Sequence, residues 1–418
     1  MRVAIIGSGI SGISAAAYLS ERCSVTVFEK NNKIGGHADT QTIVIDGWQI
    51  DVDTGFIVFN PENYPRFTEL VTKYNVPYKD SDMSFSVSNR LSGLEYNATS
   101  IDKLFCQRKN VLNLNFYRMI SDIKRFYKEA KALLTEHDNN ISLGDYLRQN
   151  NYSDYFIDEH IVPMASALWS GRSELILKFP ARYLVAFMQN HNMMQISNRP
   201  LWKTISGGSR SYLEAIKANS NFRIKLNAEI QSVVRSETDV VIKMRDAEDE
   251  VFDKVIFACH SDQALKLIET PSDDEREVLG AIKYQHNDVC LHWDTNLLPR
   301  QKKAWASWNV IRSEASKEHC TVSYYMNLLQ SLDTDKPVIV SLNMNELVDK
   351  EKVWKYLEYE HPIYTQETIK AQKKRYLLQG FSSSYFCGAY WGWGFHEDGA
   401  RSGLEAAQQL LLDVDNAE

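Results

Sequence analysis

The chain has 418 residues, too many for one compact core, so two domains, interleaved in sequence, are expected. Its apolar and charged fractions are ordinary for a globular protein, and a net charge of -7 argues against a nucleic-acid partner. No stretch approaches the roughly 20 apolar residues of a membrane span, and six cysteines without a CxxC pair argue against a disulfide frame or a metal site.

Residues 2–6, Arg-Val-Ala-Ile-Ile, read as a short buried strand. Gly7-Ser8-Gly9-Ile10-Ser11-Gly12 follows, then an alanine-rich helix from Ile13 to Glu21 and a second strand over 24–29 that ends on Glu29. This is a GxGxxG fingerprint with its full context of strand, helix and acid, which favours dinucleotide binding over a merely structural turn. Gly7 permits the tight turn, Gly9 lets the backbone approach a pyrophosphate, and Gly12 lets helix and strand pack closely. The helix start supplies free N–H groups and partial positive charge. Glu29 can accept both ribose hydroxyls, and Lys30 follows it. With no basic lead or cleavage site before the first strand, no signal peptide and a cytoplasmic location are expected.

A second glycine pair, Lys33-Ile34-Gly35-Gly36-His37, follows the acid, and then comes Ile50-Asp51-Val52-Asp53-Thr54-Gly55-Phe56. Residues 61–200 are helical by pattern around 115–135 and 143–150 and rich in aromatics. Strands are expected over Phe222–Leu226, Ile230–Val234, Val240–Met244 and Val251–Cys259, the last buried on both faces at its apolar end. Residues 280–345 mix strand and loop, and the last forty run from a Gly/aromatic loop into a helix starting near Gly399.

These blocks, together with Ile205-Ser206-Gly207-Gly208-Ser209, the hairpin from Ile224 to Val234, and Phe386-Cys387-Gly388 followed by Gly399-Ala400-Arg401-Ser402-Gly403, resemble the flavin amine oxidase, phytoene desaturase and protoporphyrinogen oxidase superfamily. The resemblance spans both ends and the middle of the chain. It implies FAD and an α/β, amine-oxidase-like fold. A Rossmann-type FAD-binding domain (1–60, 201–270 and 381–418) is interleaved with a mixed α+β substrate or cap domain (61–200 and 271–380). Fingerprint and resemblance together assign the cofactor contacts to Gly7, Ser8, Gly9, Ile10, Ser11, Gly12, Glu29, Lys30, Gly35, Gly36, His37, Gly55, Phe56, Ile57, Ile230, Gly388, Gly399 and Ala400. Helix N–H groups near Gly399, aimed at the flavin pyrimidine ring, would stabilise the reduced flavin. The chain departs from the family at His37, where arginine is usual, and at Ala389, where an acid often follows the glycine.

A single fingerprint leaves no dedicated nicotinamide domain, so electrons are expected from an organic substrate. They would leave to oxygen or a carrier, or return to substrate in an isomerisation. The strand that aligns with the amine oxidases' lysine strand, Asn287–Trp293, holds no lysine; Asp288 falls nearest, and His396 replaces a cage tyrosine. The loop Tyr390–Asp398 is aromatic instead. Trp391 and Trp393, with Trp169 from the segment Pro163–Ser170, are expected to wall an apolar substrate channel, and Trp305–Asn309 to add to it. Core packing is the alternative for tryptophans outside the loop.

These segments and Ser323–Asn327 are similar to a bacterial branch of predicted NAD/FAD-binding proteins associated with fatty acyl modification. That implies an apolar, unsaturated acyl or lipid substrate and a desaturase, oxidase or double-bond isomerase. His396 is the candidate base or orienting group, and Glu397 and Asp398 are expected to cap the last helix. A flavin amine oxidase and a non-catalytic flavoprotein remain the alternatives. Residues 103–128 combine lysines and arginines with apolar residues, as in a helix that lies peripherally on an anionic membrane, or as a solvated helix face.

Overall fold

The computed structural model describes residues 1–135, 141–169, 173–195, 200–314 and 321–416. Ser170 and Cys320, both part of the sequence reading, lie outside the described residues.

Strand β1 (Arg2–Ile6) carries Val3, Ala4, Ile5 and Ile6 fully inside, as an unbroken apolar run requires of a central parallel strand. It sits in the middle of a five-stranded parallel sheet in the order Ser384–Phe386, Lys254–Phe257, β1, β2 (Ser24–Phe28) and Phe222–Lys225. Helix α1 (Ile10–Leu19) joins β1 to β2, completing a Rossmann-type unit.

The single strand expected over Val251–Cys259 is two strands. Glu250–Phe252 closes a three-stranded antiparallel meander with Ile230–Arg235 and Val240–Met244, while Lys254–Phe257 enters the parallel sheet. The break falls at Asp253, whose carboxylate accepts the Arg2 N–H at 2.5 Å. An antiparallel edge and a parallel interior are different environments, and one polar residue between them moves the chain from one to the other.

The second layer is a seven-stranded sheet in the order Val353–Ile363, Lys283–His292, Ile339–Leu342, Val322–Tyr325, Trp308–Arg312, Phe85–Asn89 and Leu94–Asn97. It is antiparallel except where Trp308–Arg312 runs parallel to Phe85–Asn89. Helices between 101 and 190 cover it and form a cap with its own core, including Phe116, Met119, Phe126, Phe156 and Phe187. The helix expected over 115–135 runs Leu114–Glu129 and ends in a 3-10 turn, Ala130–Leu134. Its inward face is Phe116, Met119 and Phe126, so its apolar side belongs to the cap core.

Two ties join the layers. The Asp53 N–H donates to Gln330 Oε1 (2.9 Å) while Gln330 Nε2 donates to Asp53 Oδ2 (3.0 Å). The Tyr359 hydroxyl donates to Asp39 Oδ2 at 3.0 Å. The final helix, His396–Asp415, lies on α1; a Cβ on Gly399 would stand 2.5 Å from Ile10 Cγ2, so this crossing needs glycine. The helix begins at His396, three residues earlier than expected, because Asp398 accepts the N–H groups of Phe395 (3.1 Å) and Trp393 (3.0 Å). Glu397, expected to cap the same helix, instead accepts Arg66 N–H (3.1 Å) and Phe67 N–H (2.9 Å) at the start of helix Pro65–Lys73. No helix among the described residues is long and apolar enough to cross a membrane.

Candidate functional site

The carboxyl ends of the parallel strands form one knot of backbone. Helix α1 has Gly9 at its N-cap with no side-chain cap and no acid in its first turn, so the amides there keep their donors. A Cβ on Gly9 would meet nothing within 4 Å, whereas one on Gly12 would stand 2.0 Å from Gly7 O. The front of the helix start is therefore open and its back is packed. Glu29 Oε2 accepts Ser8 N–H (3.1 Å) and Ser8 Oγ–H (2.6 Å), and Oε1 accepts Asn31 N–H (2.9 Å). The Gly35 N–H donates to Ser8 O at 3.1 Å, and a Cβ on Gly36 would lie 3.3 Å from Gly9 Cα. The Ala228 N–H donates to Glu29 O (2.9 Å) and the Ile230 N–H to Ala228 O (3.1 Å), which ties the backbone of Ile230 to the strand end that carries the acid. Lys30 is exposed beside it. The structure thus brings together Gly7 to Gly12, Glu29, Gly35, Gly36 and Ile230, in the crevice where open α/β sheets take ligands.

His37 leads from this knot toward the cap. Its carbonyl accepts the Phe56 N–H at 2.7 Å, which locks Gly55 and Phe56 beside it, and Ile57 O accepts Thr204 Oγ1 (2.9 Å). Its ring centroid is 5.3 Å from His361, 5.1 Å from Tyr359 and 6.3 Å from His260. The His37 Nε2 is buried without a hydrogen-bond partner. His260 stacks on Tyr284 at 4.3 Å, and His361 Nδ1 lies 2.9 Å from Asn287 Nδ2. Desolvation pulls the pKa of His37 and His260 down to about 4 and that of His361 to about 3, with mutual repulsion adding to it, so all three rings are neutral.

Sequence reading missed His260, His361, Asn287 and Tyr359. Asn287 and Tyr359 are register partners on adjacent strands, and their side chains point to the sheet face that meets His37. Asp288, nearest to the lysine position in the sequence, points to the opposite face, where it pairs with His286 at 3.0 Å.

His396 is buried at the start of the last helix. Its Nε2 lies 2.8 Å from Tyr212 Oη, its ring stacks on Phe56, and Phe67 meets it edge-on at 5.1 Å. Desolvation, with a smaller contribution from His37, lowers its pKa well below the usual value. Ala400 is buried one turn on, and Gly388 is held by the same helix, its N–H donating to Ser402 Oγ at 3.0 Å.

The aromatic loop divides. Trp169 Nε1 donates to Trp393 O (3.0 Å), and Phe187 packs against Trp169 at 4.8 Å and Trp393 at 5.8 Å. Trp391 turns the other way, onto Tyr390 (4.9 Å) and under the Arg375 guanidinium (5.7 Å). Trp169 and Trp393 are brought together; Trp391 is not with them. A cavity of about 240 Å³ lies beside Trp169, lined by Trp169, Ile176, Phe179, Ile363 and Tyr364 and, on its polar side, by Lys178, Gln285 and Glu367. Trp308 packs on Tyr324 (4.9 Å) within the seven-stranded sheet, and Trp305, in the turn before it, packs on Tyr325 (5.4 Å).

Residues 10–341 match the family described as flavin containing amine oxidoreductase. The chain belongs to this family. Over 267 residues the oxidoreductase is 24% identical to a 4,4'-diapophytoene desaturase (4,4'-diaponeurosporene-forming) of Staphylococcus aureus, covering 56% of this chain and 50% of that one. It thus spans about half the length of the curated relatives it matches. Cyclohexylamine oxidase from Brevibacterium oxydans shares the fold with a TM-score of 0.71 at 15% identity over 99% of both chains. The CLA-producing fatty acid isomerase from P. acnes does so with a TM-score of 0.68 at 15% identity over 98% of both.

The residues of this flavin oxidoreductase fit the cofactor its family binds. The uncapped start of α1 with open space at Gly9 suits a phosphate, and the unpartnered His37 Nε2 offers a polar contact further along the crevice. A bound flavin supplies the hydride acceptor. The chain itself supplies the neutral imidazoles, the fixed ring of His396 and the aromatic wall.

Proposed function

We propose that this protein is an FAD-dependent oxidoreductase that removes a hydride from an apolar, unsaturated fatty acyl chain. It acts as a desaturase or oxidase, or as a double-bond isomerase that returns the hydride. FAD is assigned from the fingerprint, Glu29 and the Gly35-Gly36 pair, and the site residues and domain division follow the sequence assignment. The observation that carries the substrate class is the placing of a mainly aromatic and aliphatic cavity next to neutral imidazoles. Ile363 and Tyr364 line the cavity two and three residues beyond His361 on the same stretch of chain. An acyl chain suits the aromatic wall, while a neutral imidazole can take the proton adjacent to the carbon that loses hydride. Asp39 is engaged by Lys33 (2.5 Å) and Tyr359, and Glu360 lies 3.5 Å from His260 Nδ1, so both carboxylates near these rings already have partners and are poorly placed to hold an ammonium. A desaturase relative and a fatty acid isomerase of the same fold support this reading.

In this proposal His37 and His361 handle the proton. His396, expected from the sequence as base or orienting group, takes the orienting role because its Nε2 and ring face are both engaged. The test is anaerobic flavin absorbance of the purified protein, titrated in parallel with unsaturated fatty acids, phospholipids and amines. Bleaching by an acyl substrate is expected. Unbleached flavin with an altered double bond by mass spectrometry assigns the isomerase branch, and bleaching by amines alone overturns the proposal.

A further inference from the structure

A surface distant from the flavin crevice carries an inverted polarity. The segment 101–117 follows the edge strand Leu94–Asn97, at the opposite edge of the seven-stranded sheet from Val353–Ile363. It contains a short helix (Ile101–Leu104), a 3-10 turn (Arg108–Leu112) and the first turn of helix Leu114–Glu129. Ile101 is 79% exposed, Leu112 89% and Leu114 82%, with Val111 and Tyr117 also exposed. In the same turn it is Asn110 that is buried. Ordinary folding places apolar groups in and polar groups out; here the polar group is in and the leucines are out.

These residues form one surface held in place by local bonds. The Phe105 ring touches Phe116 at 5.3 Å and Tyr117 at 5.9 Å, and Arg108 pairs with Asp102 and donates to Phe105 O (3.2 Å). Ser100 accepts the Lys103 N–H (3.2 Å) and Asn113 accepts the Asn115 N–H (3.0 Å), which fixes both helix starts. The charge is mainly positive. Lys103, Arg108, Lys109 and Arg118 stand against Asp102 alone, on a chain whose net charge is -7. Lys302 and Lys303 join the patch from a neighbouring turn, Lys303 reaching Asp102 at 3.1 Å.

We propose that this patch docks the protein on an anionic lipid bilayer, with Ile101, Leu112 and Leu114 entering the interface and the cations meeting lipid phosphates. Exposed leucines on a basic surface match the two components of a bilayer face, apolar interior and anionic head groups. The docking element is this tip and not the length of helix Leu114–Glu129, whose apolar face packs in the cap core. The proposal stands on the surface alone and is independent of the substrate assigned to the crevice.

The test is co-sedimentation of the flavin-loaded full chain with vesicles of phosphatidylcholine, with and without phosphatidylglycerol. Two double variants are compared, Leu112→Ser with Leu114→Ser and Lys109→Glu with Arg118→Glu; all four positions are exposed, and flavin absorbance and thermal midpoint report their folding. The expected result is binding to the anionic vesicles that salt weakens, with a loss of about tenfold or more in either variant. Absence of binding in the wild type, or binding that both variants retain, overturns the proposal. So does a concentration-dependent dimer abolished by the leucine variant without vesicle binding, which would assign the patch to a second copy of the chain.

Discussion

The imidazole of His396 lies flat on the ring of Phe56, centroids 3.6 Å apart and planes 7° apart. With Nε2 at 2.8 Å from Tyr212 Oη, the ring is fixed by a stacking partner and a hydrogen bond at once. Tyr212→Phe removes that bond and leaves a buried nitrogen unpaired. It is expected to cost about 1–3 kcal/mol of stability, read by denaturant unfolding. The pH profile of kcat is expected to stay in place; a displaced profile would make His396 a proton carrier.

His361 carries the opposite expectation. His361→Asn keeps a polar group beside Asn287 but removes the basic ring nitrogen that takes the proton in this proposal. A fall in kcat on the order of 10² to 10⁴ is expected, with flavin content unchanged. Retained turnover removes His361 from the proton path.

The two glycines at the start of α1 separate folding from cofactor binding. Gly12→Ala drives a methyl to 2.0 Å from Gly7 O and is expected to disrupt the strand–helix turn itself. Gly9→Ala places its methyl in open space and is expected to leave thermal stability of the apoprotein unchanged while lowering flavin occupancy. The ratio of flavin to protein absorbance, beside the melting curve, reads both. Equal occupancy in Gly9→Ala and wild type would place the phosphate elsewhere.

Arg235 and Glu275 form a bidentate pair, 2.5 and 2.9 Å, with side chains 3% and 0% exposed. Arg235→Met leaves the carboxylate buried without its partner and is expected to destabilise the fold by about 3–5 kcal/mol in urea unfolding. A loss below 1 kcal/mol, about the value of an exposed pair, would mean that water reaches Glu275.

Acid is expected to weaken the fold. His37, His191, His260 and His292 have pKa values lowered to about 4 and His361 to about 3, and His396 is lower than usual too, all by desolvation. The unfolded chain takes up protons below about 6.5 that the folded chain refuses, so stability falls as pH drops from 6.5 toward 4. Asp53, raised to about 6, and Glu397, raised to about 7, act in the opposite sense, as do Glu159 and Asp398, because the folded chain holds their protons where the unfolded chain releases them. Six histidines outweigh four acids, so the urea midpoint should fall across this window. A flat or rising midpoint contradicts the balance.

The N-terminal unit was legible because its signals are local. Strand, glycines, helix and Glu29 follow one another within thirty residues, and short-range periodicity reports each. The histidine group was not, because His37, His260 and His361 meet only through tertiary structure and a lone histidine has no pattern. Facing was lost for the same reason: Asp288 and Asn287 are adjacent in sequence, and only the register with Glu358 and Tyr359 tells inner from outer. Trp391 and Trp393 differ by the turn at Gly392, whose Cβ would stand 1.9 Å from Asp398 Oδ1, a contact made by the first turn of the last helix. The break at Asp253 was hidden because two apolar runs flank one aspartate.

The order of strands in the parallel sheet has a consequence for how the molecule is made. β1 leaves the ribosome some 250 residues before its neighbour Lys254–Phe257, and Ser384–Phe386 comes later still. Until then one flank of β1 is an unpaired edge able to capture another nascent chain. Pairings this distant in sequence make assembly slow. A ribosome that stops before residue 384 releases a sheet without its outer strand and a first helix without its partner, so the crevice is completed only when strand Ser384–Phe386 and helix His396–Asp415 have been made.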